Sequence, residues 1–158
     1  MTLKEFLREQ ADAVRSHEAT KEAKLQAWIS AVDKLVDQIQ GWLTDSDQEK
    51  LLRVDRIEIQ LSEESLGPYH VPALRIWLGG RSVNVEPVAL EVVGPSPRKS
   101  ARGLYQGRVN VASRLESFSL YRFVGEDGRE SWEIIDPRNF TRAELTQATF
   151  EAALVSLF

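Results

Sequence analysis

From Leu25 onward the apolar positions fall at Leu25, Trp28, Ile29, Val32, Leu35, Val36, Ile39, Trp42 and Leu43, in steps of three and four. At 3.6 residues per turn such steps gather side chains on one stripe of an α-helix. Lys24, Asp33, Lys34, Asp37 and Gln38 make the wet face. Trp28 and Trp42 fall within about 40° of each other on the stripe. Thr44-Asp45-Ser46-Asp47 is a polar stop. An earlier amphipathic piece, Leu3, Phe6, Leu7 and Val14, loses its stripe at Glu18 and Lys21. This predicts a break or bend near Ser16 to Thr20, with a single continuous helix carrying a polar middle as the alternative.

The period then changes to two. Ile57, Ile59 and Leu61 alternate with Arg56, Glu58 and Gln60, and Leu74, Ile76 and Leu78 form a second alternating run. Alternation of this kind is a half-buried strand. Ser65-Leu66-Gly67-Pro68 reads as a turn, and Gly79-Gly80 as a hairpin, since glycine tolerates the positive φ of tight turns. Val83 and Val85 continue the pattern, but Val88, Leu90 and Val92 alternate on the other parity. The slip at Pro87 predicts a bulge or edge position, because proline cannot donate to a strand ladder. Further strands are expected near Leu104–Val111, Phe118–Val124 and Ser131–Ile135, the last two joined by Gly125-Glu126-Asp127-Gly128.

Thr141-Arg142-Ala143-Glu144 fits a capping box, with Phe140 and Leu145 as its hydrophobic staple, and predicts a final helix over 141–158. That helix is apolar on two sides: Leu145, Ala148, Ala152 and Val155 on one, Phe150, Leu154, Leu157 and Phe158 on the other. Such a helix should be buried in the fold or in a partner. The whole reads as one α+β domain over 1–158. N-terminal helices occupy 1–46, a twisted antiparallel meander of six to seven strands occupies 53–136, and a C-terminal helix closes the chain. The terminal helices are expected on one face of the sheet.

Composition narrows the chemistry more than the fold. A chain of 158 residues with 42% hydrophobic and 28% charged residues is long enough for its own core. The net charge of −4 argues against a generally basic nucleic-acid binder. With no cysteine, disulfides, thiolate metal sites and cysteine nucleophiles are excluded. Met1 to Glu9 lacks the apolar core of a secretory signal, and no apolar run reaches the length of a membrane span, which together predict a cytoplasmic location without membrane contact.

Candidate sites are few. His17 and His70 have no second histidine at ligand spacing, so no metal or other cofactor is expected. No nucleophile elbow or phosphate loop is present, and Gly103 and Gly107 do not follow the dinucleotide pattern. Glu63-Glu64 and Glu126-Asp127 lie in expected turns, where acids are ordinarily solvated; Tyr69 and His70 could line a pocket, although a loop aromatic folded on the sheet explains Tyr69 as well. No catalytic residue is therefore assigned. From Val92 to Leu115 there is no acid, while Arg98, Lys99, Arg102, Arg108 and Arg114 are present. Arginine can grip phosphate or carboxylate, and Tyr105 could stack on a base, so this stretch is the candidate anion or nucleic-acid site; a solvated or internally paired loop is the plainer reading. Trp28, Trp42, Leu154 and Phe158 are candidate interface residues, because tryptophan is enriched at interface hot spots and the terminal helices carry more apolar surface than a small sheet face covers.

The order helix, strands, helix resembles the mitochondrial glycoprotein family of acidic matrix proteins. The stretches Ala27-Trp28-Ile29 to Gly41-Trp42-Leu43 and Leu66-Gly67-Pro68-Tyr69 to Pro72-Ala73-Leu74 are similar to ones in small uncharacterised bacterial α+β proteins. The resemblance implies a seven-stranded twisted sheet flanked by terminal helices, a trimeric or other homo-oligomeric assembly, and binding rather than catalysis. It carries over no functional residue. The leading expectation is a non-enzymatic protein-binding or assembly module, the second a nucleic-acid or anion binder through 98–114, and the third an enzyme whose site forms only in three dimensions.

Overall fold

The structure, a computed structural model, describes residues 1–91, 99–100 and 103–158. Helix α1 runs without interruption over Leu3–Ser46, roughly 66 Å at 1.5 Å per residue. Thr2 caps it: its hydroxyl accepts from the Glu5 amide at 3.2 Å and Glu5 Oε2 accepts from the Thr2 amide at 2.9 Å. The break expected near Ser16 to Thr20 does not form. Thr20 Oγ1 instead donates to the Ser16 carbonyl at 3.0 Å, a bond made within the helix. Asp47 ends α1, and its carboxylate accepts from the amides of Leu51 and Leu52 at 2.8 and 2.9 Å, turning the chain into the sheet.

The strands are β1 Leu52–Glu63, β2 Gly67–Leu78, β3 Arg81–Ala89, β4 Lys99–Ser100, β5 Gly103–Ala112, β6 Ser117–Val124, β7 Glu130–Asp136 and β8 Thr141–Glu144. All pairings are antiparallel, in the order β1-β2-β3-β5-β6-β7-β8, with the two-residue β4 paired to β5 alone. The sheet is thus an α+β meander. Gly79-Gly80 makes the two-residue turn between β2 and β3, with Gly79 at φ +60°. The slip read at Pro87 is a register shift between Pro87 and Ala89.

One face of this sheet forms the core. Trp28, Val32, Leu35, Val36, Ile39 and Leu43 of α1 and Phe150, Ala153, Leu154 and Leu157 of the second helix meet Leu74, Ile76, Val83, Val85, Val109, Val111, Leu120 and Ile134. Beyond β3 the β1–β2 arm turns its other side inward. Tyr69, Val71 and Ala73 are buried before Leu74 and Ile76, although the pairing register with β1 is unbroken. On the opposite face Tyr121, Phe123 and Ile135 pack with Tyr105.

The C-terminal helix starts later than the capping pattern at Thr141 predicts. Residues 141–144 are β8, in register with Asp136 to Glu133 of β7, and Phe140 takes φ +58° and is exposed rather than stapled. Helix α2 spans Gln147–Leu157, capped by Thr146, whose hydroxyl accepts from the Thr149 amide at 3.1 Å. The sheet therefore extends from 52 to 144, and Ser/Thr-x-x-Glu has served as a strand because β7 offered it a free edge.

Candidate functional site

Every residue from Met1 to Thr20 is exposed. Up to residue 19, before Thr20 reaches the edge of the body, α1 stands free of it, and Leu3 (71% exposed), Phe6 (46%), Leu7 (54%) and Val14 (61%) present an apolar stripe to solvent. Leu3, Val14, Leu25 and Val36 recur at steps of eleven, about three turns. The free stripe is therefore in line with the stripe that packs on the sheet. The charges around it are balanced: Lys4, Arg8, Arg15, Lys21 and Lys24 against Glu5, Glu9, Asp12, Glu18 and Glu22.

Where α1 meets the body, its anchor is Trp28, fully buried. The ring lies against Gly107 at the β5 irregularity. A Cβ built there would sit 2.1 Å from Trp28 Cζ3, and Gly107 has φ +130°, so only glycine fits. Trp132 stands 6.2 Å from Trp28, ring to ring. Trp28 Nε1 donates to the Tyr69 hydroxyl at 3.3 Å, Tyr69 donates to Glu63, and the Glu63 carboxylate accepts the amides of Leu90 at 3.0 Å and Glu91 at 2.9 Å. Burial, then the Glu63 hydrogen bond, pushes the Tyr69 hydroxyl well above its ordinary pKa. Glu63 is thus a tie between the β1–β2 arm and the end of β3. Tyr69 and His70 do not share a pocket: Tyr69 is buried and His70 exposed, as alternation along β2 requires.

A groove of about 630 Å³ runs between the middle of α1 and the β6–β7 hairpin, lined by Lys24, Ala27, Lys34, Gln106, Arg122 and Glu130 among others. Arg122, 3% exposed, is a buried cation that was not among the expected site residues. It reaches Glu130 through Nε at 2.6 Å and through Nη2, and the Gln106 carbonyl through Nη1 at 3.0 Å. Its only advance signal is that Arg122 shares a strand parity with Phe118, Leu120 and Val124.

The expected basic stretch is drawn out along β5. Arg98 and Arg102 lie outside the described residues, and Lys99 is placed by the backbone of β4. Arg108 donates to Asn110 Oδ1 at 3.1 Å and sits over the Tyr121 ring, while exposed Arg114 is in the turn after β5. Tyr105 is stacked on Phe123 at 4.5 Å, so its ring is engaged. Of the expected interface residues, Trp28 and Leu154 belong to the core and cannot meet a partner; Trp42 packs 5.8 Å from Phe150, and Phe158 is half-buried against the same core. Among the described residues Leu51, Val88, Leu115, Phe140 and Val155 are exposed singly, and the one exposed apolar stripe, Leu3, Phe6, Leu7 and Val14, lies at the opposite end of α1. Among the described residues no group of three or more His, Asp or Glu could hold a metal ion, and no helix is long and apolar enough to cross a membrane.

No family model, curated protein or solved structure matches the chain.

Proposed function

We propose that this chain is a protein-binding and assembly module that associates with further copies of itself through residues 3–22 of α1. The observation that carries the reading is the exposed stripe Leu3, Phe6, Leu7 and Val14 on a half-helix without support from the body. A helix outside tertiary packing is marginal in water, and within this half the side-chain support is a few local contacts such as Arg15 with Asp12. A partner helix laid on the stripe supplies the missing burial. A second copy fits because it brings the same stripe and a near-balance of charges, four basic and five acidic residues over 3–22, so neither surface strongly repels the other. Lys4, Arg8 and Arg15 share one side of this half, but Asp12 pairs with Arg15 and the acids Glu5, Glu9, Glu18 and Glu22 leave the half without the net positive charge that nucleic acid or an anionic membrane surface favours. The resemblance in element order to the mitochondrial glycoprotein family, which implies a homo-oligomeric assembly, supports this reading.

Light scattering on the full chain tests it. The wild type is expected at a multiple of 17.9 kDa at micromolar concentration. The variant Leu3→Ser/Phe6→Ser/Leu7→Ser/Val14→Ser is expected at one chain mass with the melting of the body retained. A wild-type monomer across the micromolar range overturns the proposal.

A further inference from the structure

We infer that the groove between α1 and the β6–β7 hairpin binds an organic anion, with a carboxylate or phosphate head on a small apolar body. The sign of the groove comes first. Lys24, Lys34 and Arg122 line it against one acid, Glu130, in a chain whose net charge is −4. Lys24 and Lys34 are ten residues apart on α1, about 15 Å along its axis, and line the helix side of the groove while Arg122 lines its sheet side. A guanidinium has five N–H donors. Among the described residues three are engaged, on Glu130 and the Gln106 carbonyl, which leaves two. A buried guanidinium binds an acceptor more strongly than an exposed one, because less water competes for it.

The remaining walls suit a ligand body that is not itself charged. Ala23, Ala27, Ala31 and Val124 are small and apolar, and Thr20 and Ser30 add hydroxyls at the helix side. Long side chains at the alanine positions would fill the space. Lys99 is linked to this wall through the backbone: it pairs with Leu104, and Leu104 pairs with Val124. Glu130 plays two parts, holding Arg122 when the groove is empty and competing with an incoming acid for the same guanidinium.

Calorimetric titration of the full chain tests the assignment with three probes: inorganic phosphate, hexanoate and hexyl phosphate. Saturable binding of hexanoate or hexyl phosphate is expected, and the tighter of the two names the head group. Lys24→Glu/Lys34→Glu, at exposed positions, is expected to weaken binding about tenfold or more, whereas Lys50→Glu, away from the groove, leaves it unchanged. Glu130→Gln is expected to lower the melting temperature and to bind the probe more tightly, with the probe restoring part of the lost stability. Binding of neither organic probe, or binding that ignores Lys24→Glu/Lys34→Glu, overturns the site. Inorganic phosphate binding as tightly as hexyl phosphate overturns the part assigned to the apolar wall.

Discussion

Residues 25–43 of α1 place Trp28, Val32, Leu35 and Ile39 beneath the sheet at no more than 1% exposure, whereas residues 3–14 of the same helix hold Leu3, Phe6, Leu7 and Val14 in solvent. The two stripes share one face and one spacing. What separates them is the sheet, which ends before the helix does. Amphipathic spacing says that a surface is to be covered, and the length of the covering element says by what. In the body half the cover is the chain's own sheet, and in the free half it is a second molecule under the assembly proposal.

Truncating the anchor of the body half is expected to cost the most stability. Trp28→Ala removes a fully buried indole and its bond to Tyr69, and is expected to cost about 3–5 kcal/mol. Thermal unfolding should fall by on the order of 10 °C. Phe6→Ala in the free half is expected to leave monomer stability within about 0.5 kcal/mol, and to act on molar mass instead. Equal melting losses for the two variants would erase the distinction between the halves.

Gly107→Ala probes the same anchor from the strand side. The added methyl meets the Trp28 ring at 2.1 Å on a backbone with positive φ, so denaturant unfolding should show a loss of about 1–3 kcal/mol or more.

The caps at the two ends of α1 give a smaller contrast. Asp47→Ala breaks the carboxylate bonds to Leu51 and Leu52 where the helix joins the sheet, and is expected to lower global stability by about 1 kcal/mol. Thr2→Ala removes the cap of the free half. It should reduce helical circular dichroism and weaken association without moving the unfolding midpoint of the body.

The smallest effect is confined to alkaline pH. Burial holds the Tyr69 hydroxyl protonated above its ordinary range. The folded state thus keeps a proton that the unfolded chain loses near pH 10, and the stability this contributes is intact below that value and declines above it. Tyr69→Phe should flatten that decline, as read by denaturant melts from pH 8 to 11.

Much of this arrangement was legible in the residues themselves. The stripe from Leu25 to Leu43, the alternation of β1 and β2, the Gly79-Gly80 turn and the slip at Pro87 are local signals, and each element forms where its signal lies. The signals that misled were those with a nonlocal competitor. Thr141 to Glu144 meets the rule for a helix start, but β7 presents a free edge at Glu133 to Asp136, and ladder pairing prevails. Trp28 carries the interface signature, but Gly107 leaves room for its ring in the core. The candidate sites were harder to read. A buried Arg122 depends on the distant Glu130 and Gln106 as acceptors and on the alanines of α1 that leave the groove open, and no spacing along one strand encodes that combination. The free half-helix was visible as a stripe; its freedom became visible only with the extent of the sheet.

Amide hydrogen exchange across α1, measured over a range of protein concentrations, reads the two halves of the helix separately. Residues 25–43 should exchange slowly at every concentration, since opening them exposes the core. Residues 3–22 should exchange fast in dilute protein and gain protection as concentration rises, in parallel with molar mass. Fast exchange of residues 3–22 at all concentrations, or equal concentration-independent protection in both halves, would contradict the account.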